Sequence, residues 1–402
     1  MDRIIVIGAG QGGAACVAKL RAEGFEGNIT LIGEETAPPY QRPPLSKAYL
    51  LGEMALERLY LRPLDWYAEH TVDLRLGQPV EAVDATARTV TVAGETMPYD
   101  ALVLATGSTP RKLPPEIGGG LRGVHVVRTL ADVDAMEPEV RANGRALIVG
   151  GGYIGLEAAA VASKRGMDVT LIEAAPRILG RVAAPETSDY FRALHESHGV
   201  SIREGVGLEC LNAADGHVVG AMFNNGEEHP YDIVIAGIGI EPNVALAADA
   251  GVLLDNGIAT DAQGRTSDAA IWAAGDCASL PYRGQRIRLE SVQNAIDQAE
   301  LVAKNILGAD ETYDPKVWFW SDQYDVKLQI AGLNLGYDRV VVRDGGAARS
   351  HWYYQGDTLL AVDAMNDPRA YMIGKRLIEA GKSPAPEVVG DPEADLKPLL
   401  KA

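Results

Sequence analysis

Five short stretches of this chain are apolar without a break: residues 4–7, 101–105, 146–149, 233–236 and 271–274. Unbroken runs of this length fit strands buried on both faces, as in a parallel sheet. Each ends at a turn that carries glycine. Between them, helices are predicted over 14–23, from the second glycine cluster to about 165, over 187–198 and over 291–307. Short strands are expected at 72–76, 79–84 and 89–93, the last two alternating, and again within 200–232. From 318 the texture changes. Residues 326–330, 339–343, 350–354 and 358–362 read as antiparallel strands with hairpin turns at Gly345-Gly346 and Gly356-Asp357. A helix over 367–380 and a Pro-containing tail follow, together a third, α+β domain.

The first run enters Gly8-Ala9-Gly10-Gln11-Gly12-Gly13, and its helix ends at Gly24. In such a strand–turn–helix unit Gly8 permits the tight turn, Gly10 lets backbone amides approach a pyrophosphate, and Gly13 lets the helix lie close to the strand. Free N–H groups and the helix dipole favour an anion there. A second strand, 29–32, delivers Glu34 about 20 residues on, where a carboxylate suits a ribose hydroxyl pair. The chain then repeats itself. Residues 146–149 enter Gly150-Gly151-Gly152-Tyr153-Ile154-Gly155, and a strand over 169–172 ends at Glu173. Two complete units are far harder to obtain by chance than one. A Pro- and Gly-rich linker, 110–123, separates them.

Composition narrows the classes. The 402 residues allow two or three domains, and 44 glycines fit several nucleotide-binding turns. A net charge of −18 argues against nucleic acid or an anionic membrane surface as partner. Cys16, Cys210 and Cys277 form no CxxC pair, pointing to a reducing compartment, with Cys16 read as core. With no apolar run long enough to span a bilayer, a soluble cytoplasmic protein is expected. His195 and His198 with Glu196 lack further ligands for a metal site, so both histidines read as a solvated helix face, and no metal is expected.

Two dinucleotide units are most simply explained if one holds a flavin dinucleotide while the other admits a pyridine nucleotide in turn. The opening strand, the Thr106-Gly107 turn and the Gly275-Asp276 turn would converge on one extended cofactor, FAD, with Asp276 accepting from ribityl hydroxyls. Glu173 speaks to specificity. A like charge ~4 Å from a 2′-phosphate costs roughly 4 kcal/mol at an effective dielectric of 20, favouring NADH over NADPH about a thousandfold.

The chain resembles the FAD-dependent, NADH-using ferredoxin reductases of the putidaredoxin reductase type, which share the glutathione reductase fold. The resemblance spans essentially the whole sequence. It is carried by YQRPPLSK (40–47), LATGS (104–108), VGGGYIGLE (149–157), AGIGIEPN (236–243), AGDCA (274–278) and, most specifically, WFWSDQY (318–324). It implies an α/β fold with two Rossmann-like nucleotide-binding domains and a C-terminal α+β interface domain. The FAD domain (1–109 and 243–317) would be interrupted by an NADH domain (110–242) and followed by the interface domain (318–402).

The resemblance also implies roles. Lys47 would sit at the reactive edge of the flavin and pair with Glu157, although locally Lys47 reads as a surface residue at a helix start capped by Ser46, and Glu157 as a surface helical residue. Arg42 and Pro44 would flank the flavin and Trp320 would cover it, with Arg128 and Val292 as further flavin contacts. Read locally, 318–320 is aromatic core at a domain junction. NADH would meet Gly150, Gly152, Tyr153, Ile154 and Gly155 on the loop, then Glu173, Gly239 and Glu290. The related disulfide and peroxide reductases carry cysteine just after the second strand, where this chain has Pro43, Pro44, Leu45 and Ser46. Direct electron transfer is therefore the expected output. The implied reaction passes electrons from NADH through FAD to a 2Fe-2S ferredoxin of a haem-thiolate monooxygenase system. A Rieske-type ferredoxin of a ring-hydroxylating dioxygenase or a rubredoxin ranks next, and a signalling flavoprotein similar to apoptosis-inducing factor is disfavoured. A monomer is implied. Arg283, Arg286, Arg288, Lys375 and Arg376 are the expected cations for an acidic ferredoxin.

Overall fold

Two five-stranded parallel sheets with the same internal order hold the chain's two glycine loops. The computed structural model describes residues 1–401. In the first sheet the strands run Ile271–Ala273, Ala101–Leu104, Arg3–Ile7, Asn28–Ile32, Val72–Arg75. The second runs Val124–His125, Ile233–Ala236, Arg145–Val149, Asp168–Glu173, Ser201–Glu204. In both, the strand before the glycine loop is central, flanked by its βαβ partner and by a strand from much later in the chain.

The unbroken apolar runs are explained by burial on both faces. Ile4 and Val6 pack with Cys16, Val17 and Leu20 of the helix Gln11–Ala22, while Ile5 and Ile7 face a separate cluster with Leu102, Leu104 and Ile271. Cys16 is fully buried, and desolvation pushes its thiol up to about 12. The remaining long helices are Tyr153–Lys164, Pro185–Ser197, Val292–Ile306 and Pro368–Glu379.

The C-terminal region is one antiparallel sheet ordered Trp318–Gln323, Val326–Gly332, Thr358–Met365, Ala348–Gln355, Arg339–Gly345. The helix Pro368–Glu379 packs its Ala370, Ile373 and Leu377 against Trp352 and Val362 of that sheet. The fold is thus α/β, with two Rossmann-like sheets and a C-terminal α+β region.

The chain divides into two compact units. The first is Met1–Arg42, Ala55–Thr109 and Ile240–Pro315; the second is Pro43–Met54, Pro110–Gly239 and the chain from Lys316 onward. Among the described residues no helix is long and apolar enough to cross a membrane.

Candidate nucleotide and redox sites

The two glycine loops are built alike at their first and last glycines. Gly8 has φ +111°, and a Cβ there would come to 2.1 Å from the Ala105 carbonyl oxygen; at Gly150, φ +105°, it would come to 2.5 Å from that of Gly237. A Cβ on Gly13 would lie 1.9 Å from the Gly8 oxygen, and one on Gly155 2.0 Å from the Gly150 oxygen. These four positions exclude any side chain. Gly10 and Gly152 differ: a Cβ on either would meet nothing within 4 Å. Each begins a twelve-residue helix that no side chain caps, so the first-turn amides have no capping side chain, and a loop with this room suits a pyrophosphate.

The acids after the second strands differ in register. Ile7 pairs with Ile32, and Val149 with Ile172. Glu173 is therefore matched by Gly33, where a Cβ would come to 2.6 Å from Ala9 Cβ, and Glu34 stands one residue further on, exposed. Glu173 accepts from Gly151 N at 2.7 Å and Ala175 N at 2.8 Å, so its charge is held on the loop by two backbone amides.

In the first unit the expected turns come together. Thr106 Oγ1 donates to Asn243 O at 2.7 Å, Asn243 Nδ2 donates to Thr106 O at 2.8 Å, and Asn243 N donates to Gly107 O at 2.9 Å. Half-buried Asp276 accepts from Ser108 Oγ at 2.9 Å, and Gly275 N donates to buried Gln298 at 2.9 Å. Arg42 contacts Glu35 at 2.5 Å and Tyr40 OH at 3.0 Å. Val292 opens the helix that Ser291 caps, and exposed Glu290 pairs with Arg288 in this same unit. Sequence reasoning gave Asn243 and Gln298 no role; their contacts lie 137 and 23 residues away.

In the second unit Lys47 and Glu157 meet. Lys47 Nζ lies 2.6 Å from Glu157 Oε2, with side chains 19% and 3% exposed. Ser46 is a correction. It caps no helix, because residues Leu45–Tyr49 form one wide turn broken at Lys47 (φ −136°, ψ −111°); its buried hydroxyl donates to Glu157 Oε2 at 2.8 Å. Pro44 O accepts from the Lys47 and Tyr49 amides in that turn. Arg128 is half-buried beside Thr129, which caps the helix Leu130–Met136. Gly239 (φ +107°) lies near Arg181 and Arg111, and Ile154 is exposed on the loop helix.

Strand Trp318–Gln323 completes this arrangement through its period of two. One face carries Trp318 and Trp320, half-buried and stacked with centroids 5.4 Å apart. From the other face Phe319 meets Tyr153 with ring centroids 5.0 Å apart, Ser321 donates to Glu157 Oε1 at 2.7 Å, and Gln323 meets His195 at 2.8 Å. His195 is therefore the second correction: it is fully buried, and only His198 faces solvent. A helix period alone does not reveal a strand from more than a hundred residues away lying over that face.

Of the expected docking cations, Arg286 is tied to Thr260 O and Ser279 O, and Arg288, 12% exposed, to Asp276 O and Glu290. Lys375 lies 5.6 Å from the Trp318 ring centroid.

A family model described as pyridine nucleotide-disulphide oxidoreductase matches residues 2–299, and one described as reductase C-terminal matches 318–400. The chain belongs to the pyridine nucleotide-disulphide oxidoreductase family. Rhodocoxin reductase of Rhodococcus erythropolis is 42% identical over 98% of this chain and 93% of its own. A ferredoxin–NAD(P)(+) reductase of a Sphingomonas species is 44% identical over 99% of this chain and 97% of its own. The crystal structure of the covalent putidaredoxin reductase–putidaredoxin complex aligns with a TM-score of 0.96 and 39% identity, over 100% of this chain and 98% of that one. The family uses FAD and NAD(H), and both glycine cradles fit a dinucleotide. Despite the family's name, the three cysteines here are free, Cys16 and Cys277 both buried.

Proposed function

We propose that this protein is an NADH-dependent ferredoxin reductase serving a 2Fe-2S ferredoxin of a haem-thiolate monooxygenase system. The observation that carries the reading is the combination of two dinucleotide cradles with a Lys47–Glu157 pair whose carboxylate is buried and no cysteine between 43 and 46. FAD, when bound, supplies the conversion between two-electron hydride chemistry and single-electron delivery.

The chain's own residues then have these tasks. Gly8, Gly10 and Gly13 hold the flavin pyrophosphate, Glu34 reaches the ribose from one residue beyond Gly33, and Asp276 and the Thr106-Gly107 turn hold the ribityl side. Arg42 and Val292 of the first unit would line the ring, and the family resemblance assigns Pro44, Arg128 and Trp320 to it as well. Gly150, Gly152 and Gly155, with Tyr153, Ile154 and Gly239, receive NADH; Glu290, in the other unit and paired with Arg288, is left out of this set. Glu173, held by two amides, repels a 2′-phosphate. Lys47 places a cation where negative charge develops, and Glu157 fixes it there. The corresponding domains are 1–109 with 243–317 for FAD, 110–242 for NADH and 318–402 for the partner. Three free cysteines support a reducing compartment, the cytoplasm.

The test is anaerobic visible spectroscopy of the purified holoprotein. Flavin bands should bleach on adding NADH and return as an added 2Fe-2S ferredoxin of the adrenodoxin type is reduced. Bleaching with no return would move the partner to a Rieske ferredoxin or rubredoxin, and a preparation that binds no flavin would sink the reading.

A further inference from the structure

The contacts around Glu157 continue past it. Ser321 Oγ lies 2.7 Å from Glu157 Oε1, Gln323 Nε2 lies 3.2 Å from Ser321 Oγ, His195 Nε2 lies 2.8 Å from Gln323 Oε1, and Tyr324 OH lies 3.4 Å from His195 Nδ1. Ser321, Gln323 and His195 are each fully buried. We propose that His195 is a positioning residue of the Lys47–Glu157 pair, acting through Gln323 and Ser321, and that the protein holds its imidazole as the Nε2–H tautomer for that purpose. This rests on the reductase reading only for what the pair itself does.

The direction of the line follows from donor and acceptor capacity alone. An ionised carboxylate only accepts, so Ser321 commits its one proton to Glu157 Oε1. The Ser321 oxygen can then only accept, which requires the amide nitrogen of Gln323 to face it. The Gln323 carbonyl oxygen, turned the other way, must receive a proton from His195 Nε2. His195 Nδ1 is left bare, as an acceptor for Tyr324 OH. Burial pushes the imidazolium down to about 4, so at neutral pH the ring has a single proton to place.

Every bond in the line therefore donates toward Glu157. Aligned hydrogen bonds polarise one another, most strongly in a dry interior. The line stabilises the Glu157 charge at Oε1 and leaves Oε2 to Lys47 at 2.6 Å and Ser46 at 2.8 Å. Glu157 sits on the helix Tyr153–Lys164, Gln323 on the C-terminal sheet and His195 on the helix Pro185–Ser197, so three elements fix one carboxylate.

Two measurements on the full-length holoprotein test this, and neither depends on turnover. The first is the His195 tautomer, from nitrogen-15 chemical shifts and long-range couplings at pH 7. The Nε2–H form is expected, and an Nδ1–H form overturns the proposal even if no variant folds. The second is the infrared antisymmetric carboxylate stretch that disappears in Glu157→Gln, compared at pH 7 in wild type, His195→Leu and His195→Gln. His195→Leu weakens the donation to Oε1 and should move that band measurably from its wild-type position. His195→Gln keeps an N–H toward Gln323 and should return it toward the wild-type position. A band unmoved in His195→Leu, or equally moved in both variants, overturns the proposal. Failure of the reductase reading would show instead as absent NADH bleaching, with these two readouts intact.

Discussion

Thr187 donates its hydroxyl proton to Asp363 Oδ2 across 2.8 Å, joining the helix Pro185–Ser197 to the C-terminal sheet at a fully buried carboxylate. Tyr353 donates to the same oxygen and accepts from Ala184 N at 3.1 Å. With its proton committed, Thr187 must receive one from His351 Nδ1 at 2.8 Å, which leaves His351 Nε2 to accept from Arg349 Nε at 3.1 Å. The two buried histidines of this unit, His195 and His351, are thus held in opposite tautomers.

That cluster sets a pH dependence. Burial lowers His195 and His351 to about 4 and raises Asp363 to about 6. A histidine lowered from 6.5 contributes stability that is present at neutral pH and lost as pH falls through 6.5 toward 4. Asp363, raised from 3.8, acts oppositely and gains as pH falls through 6. Between pH 7 and 5 each histidine should cost about 2 kcal/mol and Asp363 return about 1 kcal/mol. Urea midpoints should therefore fall on acidification, and His351→Asn should flatten the fall by roughly one histidine's share. An unchanged slope in His351→Asn would refute the assignment.

The Lys47–Glu157 pair is asymmetric in burial, which orders its variants. Lys47→Met leaves a carboxylate that is 3% exposed without its cation, whereas Glu157→Gln leaves an ammonium that is 19% exposed and still bonded to Pro43 O at 3.3 Å. Both should slow flavin reduction by NADH by about a hundredfold or more. Lys47→Met should be the more destabilising, approaching the ~3–5 kcal/mol of a broken buried pair. Stopped-flow reduction and denaturation of both variants decide; the reverse order of stability would mean that Ser46 and Ser321 satisfy Glu157 by themselves.

Gly10 and Gly13 separate binding from folding. Gly13→Ala forces a Cβ to 1.9 Å from the Gly8 carbonyl oxygen and should prevent the first unit from forming its loop. Gly10→Ala meets nothing within 4 Å. The Gly10→Ala apoprotein should unfold within about 0.5 kcal/mol of wild type while binding FAD about tenfold or more weakly. Flavin titration of refolded apoprotein would show the difference.

Glu173→Ser should relax nucleotide choice. Removing the charge removes up to roughly 4 kcal/mol of repulsion toward a 2′-phosphate, so kcat/KM for NADPH should rise about a hundredfold or more relative to NADH. A ratio that stays put would assign Glu173 to holding the Gly151 and Ala175 amides alone.

Much of this architecture was legible because its physics is local. A strand buried on both faces must be apolar throughout, as in 4–7 and 146–149, and a helix packed hard on its strand must begin with glycine, as at Gly13 and Gly155. The Lys47–Glu157 contact joins positions 110 residues apart and was reachable only through family resemblance. Ser46 looked like a cap because capping is what a serine near a helix start usually does. His195 looked solvated because its helix is amphipathic, and nothing in that helix announces that Gln323 will cover it. The signal that existed was in WFWSDQY, where alternation sends Phe319, Ser321 and Gln323 to one face. Glu34 was placed by counting residues, and counting does not register that Gly33 takes the place of Glu173.

The strand Ile271–Ala273 closes the first sheet by pairing with Ala101–Leu104, while every strand of the second sheet lies within residues 124–236. During synthesis the first sheet must therefore wait, with one edge of Ala101–Leu104 unpaired, until the whole second sheet has left the ribosome. The second sheet is the one free to finish first, and the first sheet, although its chain begins earlier, is completed after it.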